Sequence, residues 1–191
     1  MMTETTSRRE RKKQHIQKLL TETAIRLFTE KGFTQTTIAE ITETADIATG
    51  TFYNYFQSKE DVIRYAISLI VEEIGCGLKQ ISSSPVSPKE KLFAISSLAC
   101  QHYAENKEVF SLIVHLPSMV APPHGPQFKE ILISIINEGW SVGDFDKKIP
   151  DYIICESFMA MLQSSIMSRS CPPEENMKQK LNVLLNGISA R

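Results

Sequence analysis

The chain has 191 residues, of which 42% are apolar and 23% charged, so it has the composition of a folded protein with one sizeable core or two small ones. Its formal net charge of −1 excludes a protein that attracts polyanions through overall charge alone. No apolar run reaches the roughly 18 residues of a membrane-spanning helix.

The N-terminus and the cysteines point to the same compartment. The first residues are polar and then basic, without the apolar stretch of a secretory signal. The four cysteines are widely dispersed and form no Cys-x-x-Cys pair. We therefore expect a cytoplasmic protein with neither structural zinc nor a disulfide framework.

A first helix is predicted from about Lys12 to Lys31. Gly32 follows it, and glycine is the residue that most easily takes the left-handed conformation at a helix end. Basic residues crowd the start of this segment. They form either a solvated terminus or an arm that attracts DNA phosphates in a salt-sensitive way. The apolar stripe comprises Ile16, Leu19, Leu20, Ala24, Leu27 and Phe28, and the basic cluster comprises Arg8, Arg9, Arg11, Lys12 and Lys13.

Two short helices joined by a tight turn are predicted next. Thr37 followed by Glu40 is typical of a capping box, which begins the second helix. The chain turns near Asp46, and a third helix is predicted over Thr49–Phe56. Helices this short do not persist alone in water, so they must pack against the first helix. Such a unit, with small polar and aromatic residues exposed on its last helix, fits the major groove of DNA.

Helical periodicity continues to the C-terminus. Ser58 and Asp61 predict the start of a long helix, and Pro88 stands where the first turn of the next one is expected. Because no strand-like alternation bounded by hairpin turns is found, the predicted fold class is all-α. We expect an N-terminal domain over residues 1–59 with the three-helix unit, and a second helical domain over residues 60–191.

The segment from Ile16 to Lys59 resembles the DNA-binding domain of the TetR family of transcriptional regulators. The resemblance covers about a quarter of the chain. Two positions depart from the family pattern: Asp46 stands where the family usually has glycine, and Ala48 where a serine usually caps the third helix. Losing such a cap typically costs about 1 kcal/mol. The resemblance is carried by Ala24-Ile25-Arg26-Leu27-Phe28, Lys31-Gly32-Phe33, Thr36-Thr37-Ile38, Ile41, Ala45, Gly50-Thr51-Phe52-Tyr53-Asn54-Tyr55-Phe56 and Ser58-Lys59-Glu60.

The resemblance implies which residues contact DNA. Side chains of the third helix would face base edges, and the tyrosines and a lysine after them would hold the phosphate backbone. Thr37 would hold a phosphate at the start of the second helix. The alternative for the tyrosines is packing in the core. The predicted DNA contacts are Thr37, Ala39, Ala48, Thr49, Gly50, Thr51, Tyr53, Asn54, Tyr55 and Lys59.

The second domain resembles the ligand-binding and dimerisation domain of the family. Aromatic residues and methionines would line a lipophilic pocket, with His115 as a polar contact for the ligand, although such aromatic residues and methionines more often belong to the core. The candidate pocket residues are Phe93, Tyr103, Phe110, His115, Met119, Trp140, Phe158 and Met161. The last two helices would form the dimer interface, although a stripe of this kind also suits an intrachain core. The candidate interface residues are Ser157, Ala160, Ser164, Ser168, Met177, Leu181, Leu184, Leu185 and Ile188.

The sequence thus predicts a repressor that binds a palindromic operator as a homodimer and is released by a small lipophilic effector. No cofactor and no metal site are expected, since the histidines share no short spacing. An enzyme is not expected, because no nucleophile–base pair, paired carboxylates or phosphate-binding glycine loop is found. The alternative is a helical protein-interaction module without sequence-specific DNA binding.

Overall fold

Helices make up most of the molecule. The structure, a computed structural model, describes residues 7–115, 126–147 and 149–188. Within this part of the chain it contains nine α-helices and no β-strand, which confirms the predicted fold class. The helices are α1 (Arg8–Lys31), α2 (Ile38–Thr44), α3 (Thr49–Phe52), α4 (Lys59–Ser82), α5 (Pro88–Glu105), α6 (Lys107–His115), α7 (Pro126–Val142), α8 (Asp151–Ile166) and α9 (Pro173–Ile188).

The first helix begins four residues before the predicted start. Ser7 is its N-cap and accepts a hydrogen bond from the Glu10 N–H at 3.2 Å. Serine followed three residues later by glutamate is a local capping signal, and it places the whole basic cluster inside α1. At the other end, Gly32 has φ of 91° and its N–H donates to the Phe28 carbonyl, as its position predicted.

The other helix starts follow the predicted signals. The Asp61 N–H donates to Ser58 Oγ at 3.3 Å at the start of α4. Ser87 and Glu90 form a full capping box at the start of α5, with Pro88 in its first turn. These interactions involve residues at most four positions apart, which is why the sequence alone predicted them.

The chain divides into two compact units. The first holds the described residues within Met1–Leu69 and Lys107–Ala121, and the second those within Ile70–Asn106 and Pro122–Arg191. We call them the reading unit and the second unit. This division differs from the boundary expected after residue 59, because α4 contributes to both units and α6 belongs to the reading unit.

The core of the reading unit holds the three-helix motif together. Leu20 and Ala24 of α1 are fully buried, as are Ile41 of α2 and Phe52 of α3. α1 also packs against α6. Burial of each large apolar side chain contributes about 1.5–3 kcal/mol, which supplies the stabilisation that α2 and α3 lack as isolated helices.

The second unit is built from the rest of α4 with α5, α7, α8 and α9. Lys91 of α5, only 4% exposed, has its ammonium 2.8 Å from the Glu138 carboxylate of α7. The loop after α7 closes over Gly139, where an added Cβ would lie 2.1 Å from the Phe145 ring. Glycine is therefore required there. The largest fully buried side chains of this unit are Leu92, Ile95, Leu132, Ile135, Ile136, Ile154 and Phe158.

Candidate nucleic-acid interface

The turn between α2 and α3 sets the start of the third helix. Asp46 has φ of 54°, a left-handed conformation that aspartate tolerates better than most residues other than glycine. Ala48 is the N-cap of α3 and makes no side-chain hydrogen bond to it. The hydroxyl of Thr49 lies 3.1 Å from that of Thr42. The start of α3 is therefore connected to α2 through the two threonine side chains. It has no capping hydrogen bond of the kind that a serine at position 48 would make.

The third helix is shorter than predicted. α3 is a single turn, Thr49–Phe52, whereas the sequence indicated a helix through Phe56. Beyond it, the Asn54 N–H donates to the carbonyl of Thr51 at 3.1 Å, three residues back, which is the tighter pattern of a 3₁₀ turn. Tyrosine and asparagine are weaker helix formers than alanine or leucine, and no cap supports the short helix. Phe52 at 0% and Phe56 at 4% exposure anchor the segment.

Five predicted DNA contacts are exposed along this segment. Tyr53 is 58% exposed, and Thr49, Gly50 and Asn54 are exposed with it, as is Ala48. Thr51 and Tyr55 are half-buried. Core packing of Tyr53 is therefore excluded in this structure. Contact between these residues and DNA stays a prediction.

Gly50 is required neither by the backbone nor by the packing. An added Cβ would meet no atom within 4 Å, and its φ is not positive. Glycine in a helix interior destabilises by roughly 0.5–1 kcal/mol relative to alanine. The absence of a side chain at Gly50 therefore has no explanation inside the reading unit, and it leaves room for another molecule.

The start of α2 already carries a negative charge. The Thr37 N–H donates to the Glu40 carboxylate at 2.9 Å, and the Glu40 N–H donates to the Thr37 hydroxyl at 3.2 Å, which confirms the capping box. The Thr37 hydrogen bonds, with Lys31 3.1 Å away, hold the pKa of Glu40 below its usual range. Phosphate binding by Thr37 stays a prediction, and it must coexist with this carboxylate. Ala39 is exposed beside it.

Lys59 has partners within the chain. Its ammonium donates to the carbonyls of Phe33 and Thr36, both at 2.6 Å, and lies 4.6 Å from the centre of the Phe33 ring. It thereby fastens the loop between α1 and α2 to the start of α4. The sequence assigned Lys59 to the DNA backbone, whereas two of its three donors serve this loop.

A basic groove lies beside the end of the third helix. Its volume is about 580 Å³. Residues 9, 12, 13 and 16 share one face of α1 because they are spaced three and four apart, and this face meets Asn54 and Tyr55. The sequence prediction separated the basic cluster from the reading segment and missed this proximity. The groove is lined by Arg9, Glu10, Lys12, Lys13, Ile16, Asn54 and Tyr55.

The predicted pocket residues are divided between the two units. Phe158 is buried in the second unit, and Phe93, Tyr103, Trp140 and Met161 are half-buried there. Phe110 of α6 is buried and belongs to the reading unit. The side chain of His115 and the whole of Met119 lie outside the described residues. A ligand pocket stays a prediction.

Two buried nitrogen atoms of the second unit are without hydrogen-bond partners among the described residues. They are Nδ1 of His102 and Nε1 of Trp140. The His102 nitrogen lies 3.8 Å from the Glu73 carboxylate, and Lys147 lies over the Trp140 ring at 5.5 Å. Unpaired buried polar atoms are uncommon in folded proteins. They are stronger candidates for ligand contact than His115, which sequence reasoning selected.

Three of the nine predicted dimer-interface residues lie in the chain's own core. Met177 and Leu181 are fully buried in the chain's own core and Leu185 is 5% exposed, so these three cannot form a surface for a second copy. The stripe on α9 faces inward because α9 packs on α8 and α5. Leu184, Ser157 and Ser168 are half-buried, Ala160 and Ser164 are exposed, and the Ile188 side chain lies outside the described residues.

Exposed apolar side chains do occur on the other sides of these two helices. Tyr152 and Ile153 of α8 are 51% and 40% exposed, and Met167 just after α8 is 50% exposed. Val183 of α9 is 76% exposed. These four residues, which we call the outer apolar set, were not selected from the sequence, since the stripe pattern drew attention to the buried side.

In the part of the chain that the structure covers, histidine, cysteine and acidic side chains do not gather in threes around a possible metal ion. None of the helices in that part combines the length and the apolar character of a membrane span.

Comparison with known proteins adds a family and several relatives. Residues 20–66 match the model for bacterial regulatory proteins of the tetR family. The chain is 28% identical over 96 residues to the uncharacterized HTH-type transcriptional regulator YuxN of Bacillus subtilis, covering 50% of this chain and 33% of YuxN. It is 21% identical over 183 residues to the HTH-type transcriptional repressor KstR2 of Rhodococcus jostii, covering 90% of each. The chain spans 65% of KstR2 from Mycolicibacterium smegmatis.

Solved structures share the helical fold. The TetR family transcriptional regulator PfmR from Thermus thermophilus superposes with a TM-score of 0.74 at 20% identity, covering 87% of this chain and 97% of PfmR. FadR from Bacillus subtilis, in complex with stearoyl-CoA, has a TM-score of 0.70 at 20% identity, covering 90% of this chain and 98% of FadR. At these identities, the likeness concerns the fold.

Proposed function

Because the chain belongs, through its N-terminal domain, to the TetR family of bacterial regulatory proteins, we propose that it is a ligand-responsive repressor that binds a palindromic operator as a homodimer. The observation that carries this proposal is the outer side of the α3 segment. Thr49, Gly50, Tyr53 and Asn54 are exposed together while Phe52 and Phe56 hold the segment in place. A short, anchored segment with small and polar outward groups suits the major groove.

The DNA backbone is held beside this segment. The basic groove brings Arg9, Lys12 and Lys13 next to Asn54 and Tyr55. Phosphates attract such cations without regard to sequence, so these contacts set position and affinity, while Thr49 and its neighbours set specificity.

Two copies are needed for tight binding. A pair of reading segments about 34 Å apart would meet successive major grooves and recognise two half-sites at once. We assign the dimer surface to the outer apolar set of α8 and α9 in place of the buried stripe. A contiguous exposed apolar patch is typical of a surface that a partner covers, and this assignment takes the four side chains to form one patch.

A lipophilic effector would act through the second unit. KstR2 of Mycobacterium tuberculosis is a ketosteroid transcriptional regulator, and FadR of Bacillus subtilis was solved in complex with stearoyl-CoA. These relatives support a hydrophobic effector class for this chain. α4 contributes to both units as one continuous helix, so a shift of α4 on effector binding would reach the reading unit. Effector and operator would then weaken each other's binding by the same factor.

The test uses the full chain and a pool of random DNA duplexes. Repeated selection should enrich a palindrome, and fluorescence anisotropy at fixed salt should then give the affinity of the wild type and of Tyr53→Ala. We expect Tyr53→Ala to weaken binding about tenfold, since a lost contact costs about 1–3 kcal/mol. Val86→Ala trims another exposed apolar side chain, 41% exposed, and should bind like the wild type. Failure to enrich any sequence would favour the protein-interaction module.

A further inference from the structure

Two threonine hydroxyls connect α2 with the first residue of α3. Thr42 is 1% exposed, and its Oγ1 lies 3.0 Å from the carbonyl oxygens of both Ile38 and Ala39. The same oxygen lies 3.1 Å from Oγ1 of Thr49, which is exposed. The distances permit either hydroxyl to donate in the threonine pair.

The proton count decides the direction of that hydrogen bond. A hydroxyl carries one hydrogen and two acceptor lone pairs, whereas a carbonyl oxygen only accepts. Thr42 therefore directs its hydrogen at the two carbonyls, because otherwise three oxygen atoms would meet with their lone pairs facing one another. The hydrogen between the threonines must come from Thr49, and Thr42 accepts it.

The consequence is that Thr49, although it is an exposed residue, has its hydrogen-bond donor already used. Its hydroxyl can accept a hydrogen bond but has no hydrogen left for a phosphate oxygen or for an acceptor on a base. In the major groove, the donors are the amino groups of adenine N6 and cytosine N4, while guanine O6, guanine N7 and thymine O4 accept.

We infer that Thr49 is an acceptor-only reader that favours adenine or cytosine over guanine or thymine at one position of each half-site. Thr42 acts as the positioning residue, because it holds the Thr49 hydrogen away from the DNA. This inference rests on the proposed function, and it specifies the chemistry by which the reading segment selects its operator. Gly50, next to Thr49, leaves the approach to the base open.

The experiment compares base preferences of five full-length proteins at one salt concentration. Wild type, Thr49→Val, Thr49→Ser, Thr42→Val and Thr42→Ser each select from the same random duplex library, and competition binding measures every base at each position. The wild type should prefer adenine or cytosine over guanine or thymine about fivefold at one position of each half-site. Thr49→Val should lose this preference there and keep the others, whereas Thr49→Ser should retain it.

The Thr42 variants test the direction of the hydrogen bond. Thr42→Val removes the acceptor and frees the Thr49 hydrogen, so guanine and thymine should become acceptable at that same position. Thr42→Ser keeps the hydroxyl and should restore the wild-type preference, which a change in packing alone would not do. Thermal unfolding verifies that each variant is folded. If Thr42→Val does not fold, the substitutions at the exposed Thr49 provide the test.

The outcomes separate this inference from the proposed function. A wild type that enriches no sequence overturns both. If the wild type enriches an operator and Thr49→Val keeps every base preference, the role of Thr49 in reading a base is overturned, while the proposed repressor function stands. Loss of the preference in Thr49→Val without any change in Thr42→Val overturns the role of Thr42 and with it the acceptor-only state.

Discussion

At the scale of single residues, Gly50 is a position where we expect one substitution to raise stability and to lower DNA binding. Its helical position needs no glycine, since an added Cβ meets nothing within 4 Å. We expect Gly50→Ala to raise the free energy of unfolding by about 0.5–1 kcal/mol, because alanine loses less backbone entropy on folding. The same methyl group would stand between α3 and the DNA, so operator affinity should fall at least tenfold. Urea unfolding and anisotropy measure the two effects.

A matched control for Gly50→Ala is Ser134→Ala on α7. Ser134 is an exposed helical residue of the second unit, and alanine is the better helix former there too. This control should gain stability without any change in operator affinity. A Gly50→Ala protein that binds the operator as tightly as the wild type would remove Gly50 from the interface.

Lys59 is the second residue whose role the structure changes. Its hydrogen bonds to the Phe33 and Thr36 carbonyls are charge-assisted, and the net contribution of such a bond to stability is about 1.5–3 kcal/mol. We expect Lys59→Met to destabilise the protein by about 2 kcal/mol in urea unfolding. The slope of log affinity against log salt should stay unchanged. If Lys59 instead neutralises a DNA phosphate, the slope magnitude falls by about 0.9.

At the scale of elements, the first turns of α1 lie beside the proposed DNA-reading segment. The Ser7–Glu10 cap makes the basic cluster helical, and the helical period then places its members on different faces. Arg9 and Lys13 line the groove beside the third helix, whereas Arg8 and Arg11 do not. The charges of the basic cluster are therefore not interchangeable, because only some of them face the groove.

Two double variants that each remove two charges test this asymmetry. Arg9→Ala with Lys13→Ala should lower the magnitude of the salt slope by nearly 2, since each phosphate contact contributes about 0.9. Arg8→Ala with Arg11→Ala changes the net charge equally and should lower the slope by less than 1. Equal slopes in the two double variants would show that the groove has no special role.

At the scale of the whole molecule, the outer apolar set is the proposed contact surface of a homodimer. Val183 is 76% exposed and Met167 is 50% exposed, so charges placed there do not disturb the core of one chain. We expect Val183→Asp with Met167→Asp to convert a dimer into a folded monomer at micromolar concentration, as measured by sedimentation velocity. Operator affinity should fall by two orders of magnitude or more, because linked half-sites gain about 10²–10⁴ in avidity.

Val86→Asp is the control for this change. Val86 is exposed and lies in the loop before α5, outside the outer apolar set. It should remain dimeric and bind the operator normally. Should the double variant stay dimeric, the interface lies elsewhere on the second unit.

Much of the fold could be predicted because its signals are local. Helix starts at Thr37, Ser58 and Ser87 depend on partners three residues away, and Gly32 and Asp46 adopt positive φ as their types suggest. The anchoring of the third helix by Phe52 and Phe56 also followed from their spacing. The predicted length of α3 was wrong because the missing cap and the weak helix formers after Phe52 outweigh the apolar pattern.

By itself, the sequence determined the helices, their caps and the unit that presents Thr49, Gly50, Tyr53 and Asn54, because each depends on residues within a few positions of one another. Only the tertiary structure decided that Lys59 holds a loop, that the stripe around Leu181 faces inward and that Arg9 stands beside Asn54. The sequence pattern predicts which residues share an apolar or charged helix face. It does not show which distant element packs against that face. The choice between core, interface and groove is therefore made by long-range contacts that no local pattern encodes.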